Sequence, residues 1–61
     1  MNTRQLRALR TKKGYTQTKF AQILNIDRTY YNMIENNKKE PSLRLLTKIA
    51  KELNVSIKKF F

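Results

Sequence analysis

The chain predicts an all-α fold, a compact arrangement of five short helices. Three observations carry this reading. No stretch alternates apolar and polar residues for long enough to make a strand. Apolar residues recur instead at i, i+3 and i+4 spacings from Leu6 onward. Capping residues (Asn, Thr, Asp, Ser) stand before these runs, and Gly or Asn follows most of them. The helices are expected at about 3–13, 17–24, 28–36, 43–53 and 57–60.

Asn2 is placed to cap the first helix, with Gln5 three residues on as its capping-box partner. Leu6 and Leu9 face inward, and Gly14 supplies the left-handed residue past the helix end. The second helix opens at Thr16 and buries Phe20, Ala21 and Leu24. The third is capped by Asp27 and turns Tyr31 and Ile34 inward. Only Asn25, Ile26 and Asp27 separate the two, which fits the tight corner of a helix-turn-helix pair. Pro41 and Ser42 announce the fourth helix, whose inward residues read as Leu43, Leu46, Ile49, Ala50 and Leu53. Ser56 caps a last turn, Ile57 to Phe60. Asn25, Asn37 and Asn54 each follow a helical run, where Asn is the best substitute for Gly at positive φ.

Length and charge narrow what such a bundle can do. Sixty-one residues make one domain, with a helix-turn-helix unit at 17–36 and a small core. Neither cysteine nor histidine is present, so no disulfide is expected and the common zinc arrangements are excluded. No cofactor or metal is expected. No apolar run is long enough to span a membrane, and the polar N-terminus has no signal-peptide core. Fourteen basic residues against four acids leave a net charge of +10. Residues 1–26 hold six basic groups and no acid, and residues 27–61 hold eight and all four acids, so the parts carry +6 and +4. Self-repulsion of that size costs stability in a small domain, and a polyanion would relieve it. A nucleic acid is therefore the expected partner.

Two charges fall where the pattern wants apolar side chains. Arg10 follows Leu6 by four residues and Leu9 by one; Glu35 follows Tyr31 by four and Ile34 by one. An unpaired charge at either position would be costly, so a bidentate ion pair between the first and third helices is expected.

These pieces together resemble the lambda-repressor-like, XRE/Cro type of helix-turn-helix domain. The resemblance runs over essentially the whole chain. It rests on Thr16-Gln17, Phe20-Ala21, Ile34-Glu35, Pro41-Ser42-Leu43, Ile49-Ala50 and Leu53-Asn54-Val55-Ser56, and on the Arg10 and Glu35 pairing. Departures are equally specific. Asn25, Asn37 and Asn54 stand where the family usually has Gly. Tyr31 stands at a usual Ile or Val, so its ring must pack between helices or push its hydroxyl to water. Lys19 stands near a helix start where Glu is common, which forfeits a capping box.

The resemblance implies that the third helix enters the major groove of a double-stranded DNA operator. Its outward side chains are then Arg28, Thr29, Asn32 and Met33, with Tyr30 toward the edge. Arg28 suits guanine O6 and N7, and Asn32 suits adenine N6 and N7. Thr29 and Met33 offer contact to a thymine methyl. Gln17 resembles the family's glutamine that donates to a phosphate and braces the third helix. Lys38, Lys39, Lys19 and Asn36 are the other phosphate candidates, which position without reading sequence. Lys48, Lys51, Lys58 and Lys59 read as a solvated face. Members of this family usually bind as homodimers on half-sites about one helical turn apart. The loop between the third and fourth helices and the C-terminal turn are the expected dimer patch. Family spacing makes Phe61 core-facing and leaves Phe60 for the interface. The abrupt end also fits one domain of a longer repressor.

The function expected is a cytoplasmic, nucleoid-associated transcriptional regulator of prokaryotic or phage origin, acting as a repressor. An antitoxin or an adaptor using the same fold for protein contacts is the alternative. A membrane-surface peptide is disfavoured, because the apolar faces are spread over several short helices. An enzyme is disfavoured too. With Asp27 and Glu35 committed to structure, only Glu40 and Glu52 remain, without an evident partner or pocket.

Overall fold

The computed structural model describes residues 1–61. Four α-helices, α1 (Thr3–Lys12), α2 (Gln17–Leu24), α3 (Arg28–Glu35) and α4 (Leu43–Glu52), precede a 3-10 turn at Ile57–Phe60. The fifth element is thus a 3-10 turn rather than the α-helix expected.

Each start is built by a side chain. Asn2 accepts from the Gln5 amide, Thr16 from Lys19, Asp27 from Thr29, Ser42 from Leu45 and Ser56 from Lys58. Such caps satisfy amides that the helix itself leaves free, each contributing about 1 kcal/mol. The stops are equally local. Asn25, Asn37 and Asn54 have φ of 59°, 59° and 56°, and Gly14 has φ of 83°. At Asn25 the reversed backbone lets its own N–H and that of Ile26 return to Ala21, closing α2 and aiming the chain into α3.

The core gathers one stripe from every element: Leu6, Phe20, Ala21, Leu24, Tyr31, Ile34, Leu46, Ile49, Ala50, Leu53 and Phe60. Leu9 packs against its margin. Tyr15 stacks on Phe20, and Phe20 meets Tyr31 edge to face, both with centroids 5.5 Å apart. The Tyr31 ring therefore packs between helices, as one branch of the expectation had it.

Three apolar residues sit otherwise than expected. Phe60 is fully buried and Phe61 is 77% exposed, the reverse of the family-spacing expectation. A 3-10 turn has about three residues per turn, so Ile57 and Phe60 share its inner side. The Phe60 carbonyl accepts from Asn2 N–H at 2.7 Å, which pins that turn against the start of α1. Phe60 is therefore unavailable as an interface residue. Leu43, expected inward, is 69% exposed. It is the first residue of α4, and a helical side chain leans back over the preceding turn, which here does not exist.

Candidate nucleic-acid interface

Helix α3 divides seven of its eight residues between two environments and leaves Tyr30 at their border. Tyr31, Ile34 and Glu35 are buried, and Arg28, Thr29, Asn32 and Met33 are exposed. The spacing explains the split, since residues three and four apart share a face. Asp27 fixes where α3 begins, its carboxylate accepting from the Thr29 amide at 3.1 Å. Arg28, Thr29 and Asn32, all polar residues, line an open depression of about 260 Å³ at the N-terminal half of α3. Met33 lies outside that depression, 37% exposed. Tyr30 is half-buried with its ring packed on the core, so it sits at the rim.

Behind this face the two misplaced charges meet. Arg10 Nε donates to Glu35 Oε2 at 2.6 Å, and Arg10 Nη2 to Oε1 at 3.3 Å. The Tyr31 hydroxyl also donates to Glu35 Oε2, so it turns to the carboxylate instead of water. Arg7 Nε reaches Oε1 at 3.4 Å from a largely exposed side chain. Arg10 Nη1 further donates to the Tyr15 carbonyl at 2.7 Å, tying the loop before α2 to the same cluster.

Burial and bonding pull the titrations of this cluster in opposite directions. For Glu35, burial favours the neutral acid, but hydrogen bonds from Arg10, Tyr31 and Gln17 outweigh it and hold the carboxyl below its ordinary value. Burial likewise works against the Arg10 charge, and the Glu35 carboxylate more than offsets this, raising it. Burial and then Glu35 push the Tyr31 phenol well above its usual range.

Gln17, the phosphate candidate, is turned toward α3. Its Nε2 donates to Glu35 Oε1 at 3.0 Å and its Oε1 accepts from Asn32 Nδ2 at 3.0 Å. Asn32 Oδ1 in turn accepts from Asn36 Nδ2 at 3.0 Å, so Asn36 also has a protein partner. The amides of Gln17 and Thr18, in the first turn of α2, precede the one that Thr16 caps and have no intrahelical acceptor. Lys19 is exposed nearby. Lys38 and Lys39 are exposed beyond α3, their backbone amides wrapping onto the Met33 carbonyl at 2.8 and 3.3 Å. Lys48 is exposed, as expected of a solvated face, and its Nζ also donates to the Leu24 carbonyl at 2.9 Å. Glu40 lies 3.5 Å from the Met1 ammonium.

The sequence reading missed the Tyr31–Glu35 bond and the Gln17–Asn32 bridge. The first had a signal, an i, i+4 donor and acceptor on one helix. The second links residues fifteen apart on different helices; the resemblance gave Gln17 a bracing role on the third helix but did not name Asn32 as its partner.

A family model described as helix-turn-helix matches residues 6–60. The SPbeta prophage-derived uncharacterized HTH-type transcriptional regulator YonR of Bacillus subtilis is 45% identical over 51 residues. That alignment covers 84% of this chain and 47% of YonR, so the chain spans about half the length of that relative. The uncharacterized HTH-type transcriptional regulator YqaF of the same organism is 39% identical over 56 residues, 92% of this chain and 74% of its own. Control protein C.MunI of a Mycoplasma species is 40% identical over 57 residues, covering 92% and 77% respectively. No solved structure matches the chain significantly.

Proposed function

Because the chain belongs to the XRE-type helix-turn-helix family of DNA-binding transcriptional regulators, we propose that it is a repressor that lays α3 in the major groove of an operator. The observation that carries this reading is the division of α3. Its inner face anchors it to the core, and Arg28, Thr29, Asn32 and Met33 are left free on the other side. In this reading Arg28 forks onto a guanine and Asn32 pairs with an adenine. Thr29 and Met33 touch thymine methyls, and Tyr30 contributes at the rim. Lys38, Lys39 and Lys19 bind phosphates, helped by the free amides that open α2.

One domain of this size buries about 600–1,000 Å² of its own surface on DNA, too little for tight specific binding alone. We therefore place two copies on two half-sites. The loop between α3 and α4 is the proposed contact, with exposed Leu43 and Phe61 in place of Phe60. No helix is long and apolar enough to cross a membrane. Action in the cytoplasm, by binding alone and without catalysis, completes the proposal.

Selection of bound duplexes from a random pool at fixed salt tests it. The expected result is a two-fold related motif whose affinity falls steeply as salt rises. Recovery of no motif, together with salt-independent or absent duplex binding, would favour a protein-binding role for the same fold.

A further inference from the structure

We propose that the buried Glu35 carboxylate, acting through Gln17, is a positioning group that fixes which way the Asn32 amide faces, so that selectivity at one base pair depends on a side chain that never reaches DNA. The inference rests on the reading of α3 as the base-reading helix, and it concerns how that helix achieves its selectivity.

The direction of the relay follows from donor and acceptor counting. An ionised carboxylate only accepts, so Gln17 must turn Nε2 toward Glu35 Oε1, 3.0 Å away. That leaves Gln17 Oε1 facing Asn32, which must answer with Nδ2, again at 3.0 Å. Asn32 Oδ1 then faces Asn36 Nδ2, at 3.0 Å. Reversing any one amide would set oxygen against oxygen or nitrogen against nitrogen. The orientation of the whole series is therefore imposed from its buried end, where Arg10 and Tyr31 hold Glu35 in place.

The series does not exhaust Asn32. One of its two N–H groups and one Oδ1 lone pair remain. These are the donor and acceptor that a bidentate contact to adenine N7 and N6 requires. Rotation of the amide by half a turn would exchange them and present each to the wrong partner. An Asn without the relay is free to rotate and must be ordered by the DNA itself.

The test replaces Gln17 with Met, which keeps the length of the side chain, removes both hydrogen bonds and leaves the Arg10–Glu35 pair intact. In the free protein, the Asn32 Nδ2 proton donated to Gln17 is expected in wild type to give an NMR signal downfield of a free asparagine amide proton and to exchange slowly with solvent. In Gln17→Met it should move to the free-amide position and exchange faster. In competition binding, Gln17→Met should lose roughly 5- to 150-fold discrimination at one base pair, the range of one bidentate contact. Preferences elsewhere in the site are compared after dividing by affinity for random duplex, so that any uniform loss is removed. In an Asn32→Ala background the same substitution should change no base preference, because the effect passes through Asn32.

Unchanged Asn32 signals in Gln17→Met would overturn the relay. So would retained discrimination, or an equal loss in the Asn32→Ala background. Failure of wild type to bind any duplex would instead overturn the base-reading role of α3, with the amide signals still reporting whether the relay exists.

Discussion

The inner and outer faces of α3 are made from the same eight residues and obey different physics. On the inner face, Tyr31, Ile34 and Glu35 are at most 1% exposed, and every polar atom there has a partner. On the outer face, Arg28, Thr29 and Met33 make no side-chain hydrogen bond within the protein. A substitution inside is felt as lost stability, because the surroundings cannot relax into the gap or supply water. A substitution outside leaves the fold alone and changes only what the helix can meet. Stability and proposed recognition are thus carried on different sides of one helix, and Gln17 is the point where they touch.

The strongest way to break this division is at Glu35. Glu35→Ala should cost about 3–5 kcal/mol, because it leaves Arg10, 7% exposed, as an uncompensated buried charge. For a domain this small that is a large share of total stability. Urea or thermal melting checks it. A loss no greater than the roughly 0.5 kcal/mol of an ordinary surface change would mean that Arg10 finds water in the folded state.

Acid reaches the same pair without mutation. The folded Glu35 carboxyl lies below its ordinary value because the bonds from Arg10, Tyr31 and Gln17 outweigh burial. The unfolded chain therefore takes up this proton at a higher pH than the folded one does. The contribution is complete above the unfolded value of about 4.3 and fades as pH falls through the folded value. Wild type should lose stability below pH about 4.3 more steeply than Glu35→Gln, whose side chain does not titrate. Parallel pH profiles for the two would contradict the assignment.

On the outer face the expected pattern inverts. Arg28→Ala should leave melting within about 0.5 kcal/mol of wild type. It should cost about 1–3 kcal/mol on the selected operator and relax preference at a single base pair. Equal losses on operator and random duplex would reduce Arg28 to a phosphate contact and weaken the docking proposed for α3.

What the sequence disclosed divides along a related line. Caps and left-handed asparagines were legible, because a Ser or Thr oxygen reaching an amide two or three residues on is settled within one turn. The two charges on apolar stripes were legible as well, since each violated a helical period that its neighbours kept. Phe60 and Phe61 were not, because the side each takes depends on whether the last turn has three or 3.6 residues. Leu43 misled for a similar reason: periodicity places it near the inner face, but nothing packs beyond the first turn of α4. At the site, exposure of Arg28, Thr29 and Asn32 followed from spacing. The partners of Gln17 did not, because its bonds join α2 to α3 and exist only once the corner has closed.

The smallest expected effect sharpens the comparison by separating charge from base reading. Lys38 is exposed just past the C-terminal end of α3, where only its backbone amide is engaged, with the Met33 carbonyl at 2.8 Å. If it meets a phosphate, Lys38→Ala releases one fewer counterion on binding. The slope of log affinity against log salt should then flatten by about one unit, with operator and random duplex weakened alike. Fluorescence anisotropy over a series of salt concentrations measures both quantities at once. A loss confined to the operator would make Lys38 part of base recognition, and an unchanged slope would place it away from the DNA. Either result would move the boundary of the outer face, whereas a flatter slope with unaltered base preference would set that boundary at the end of α3.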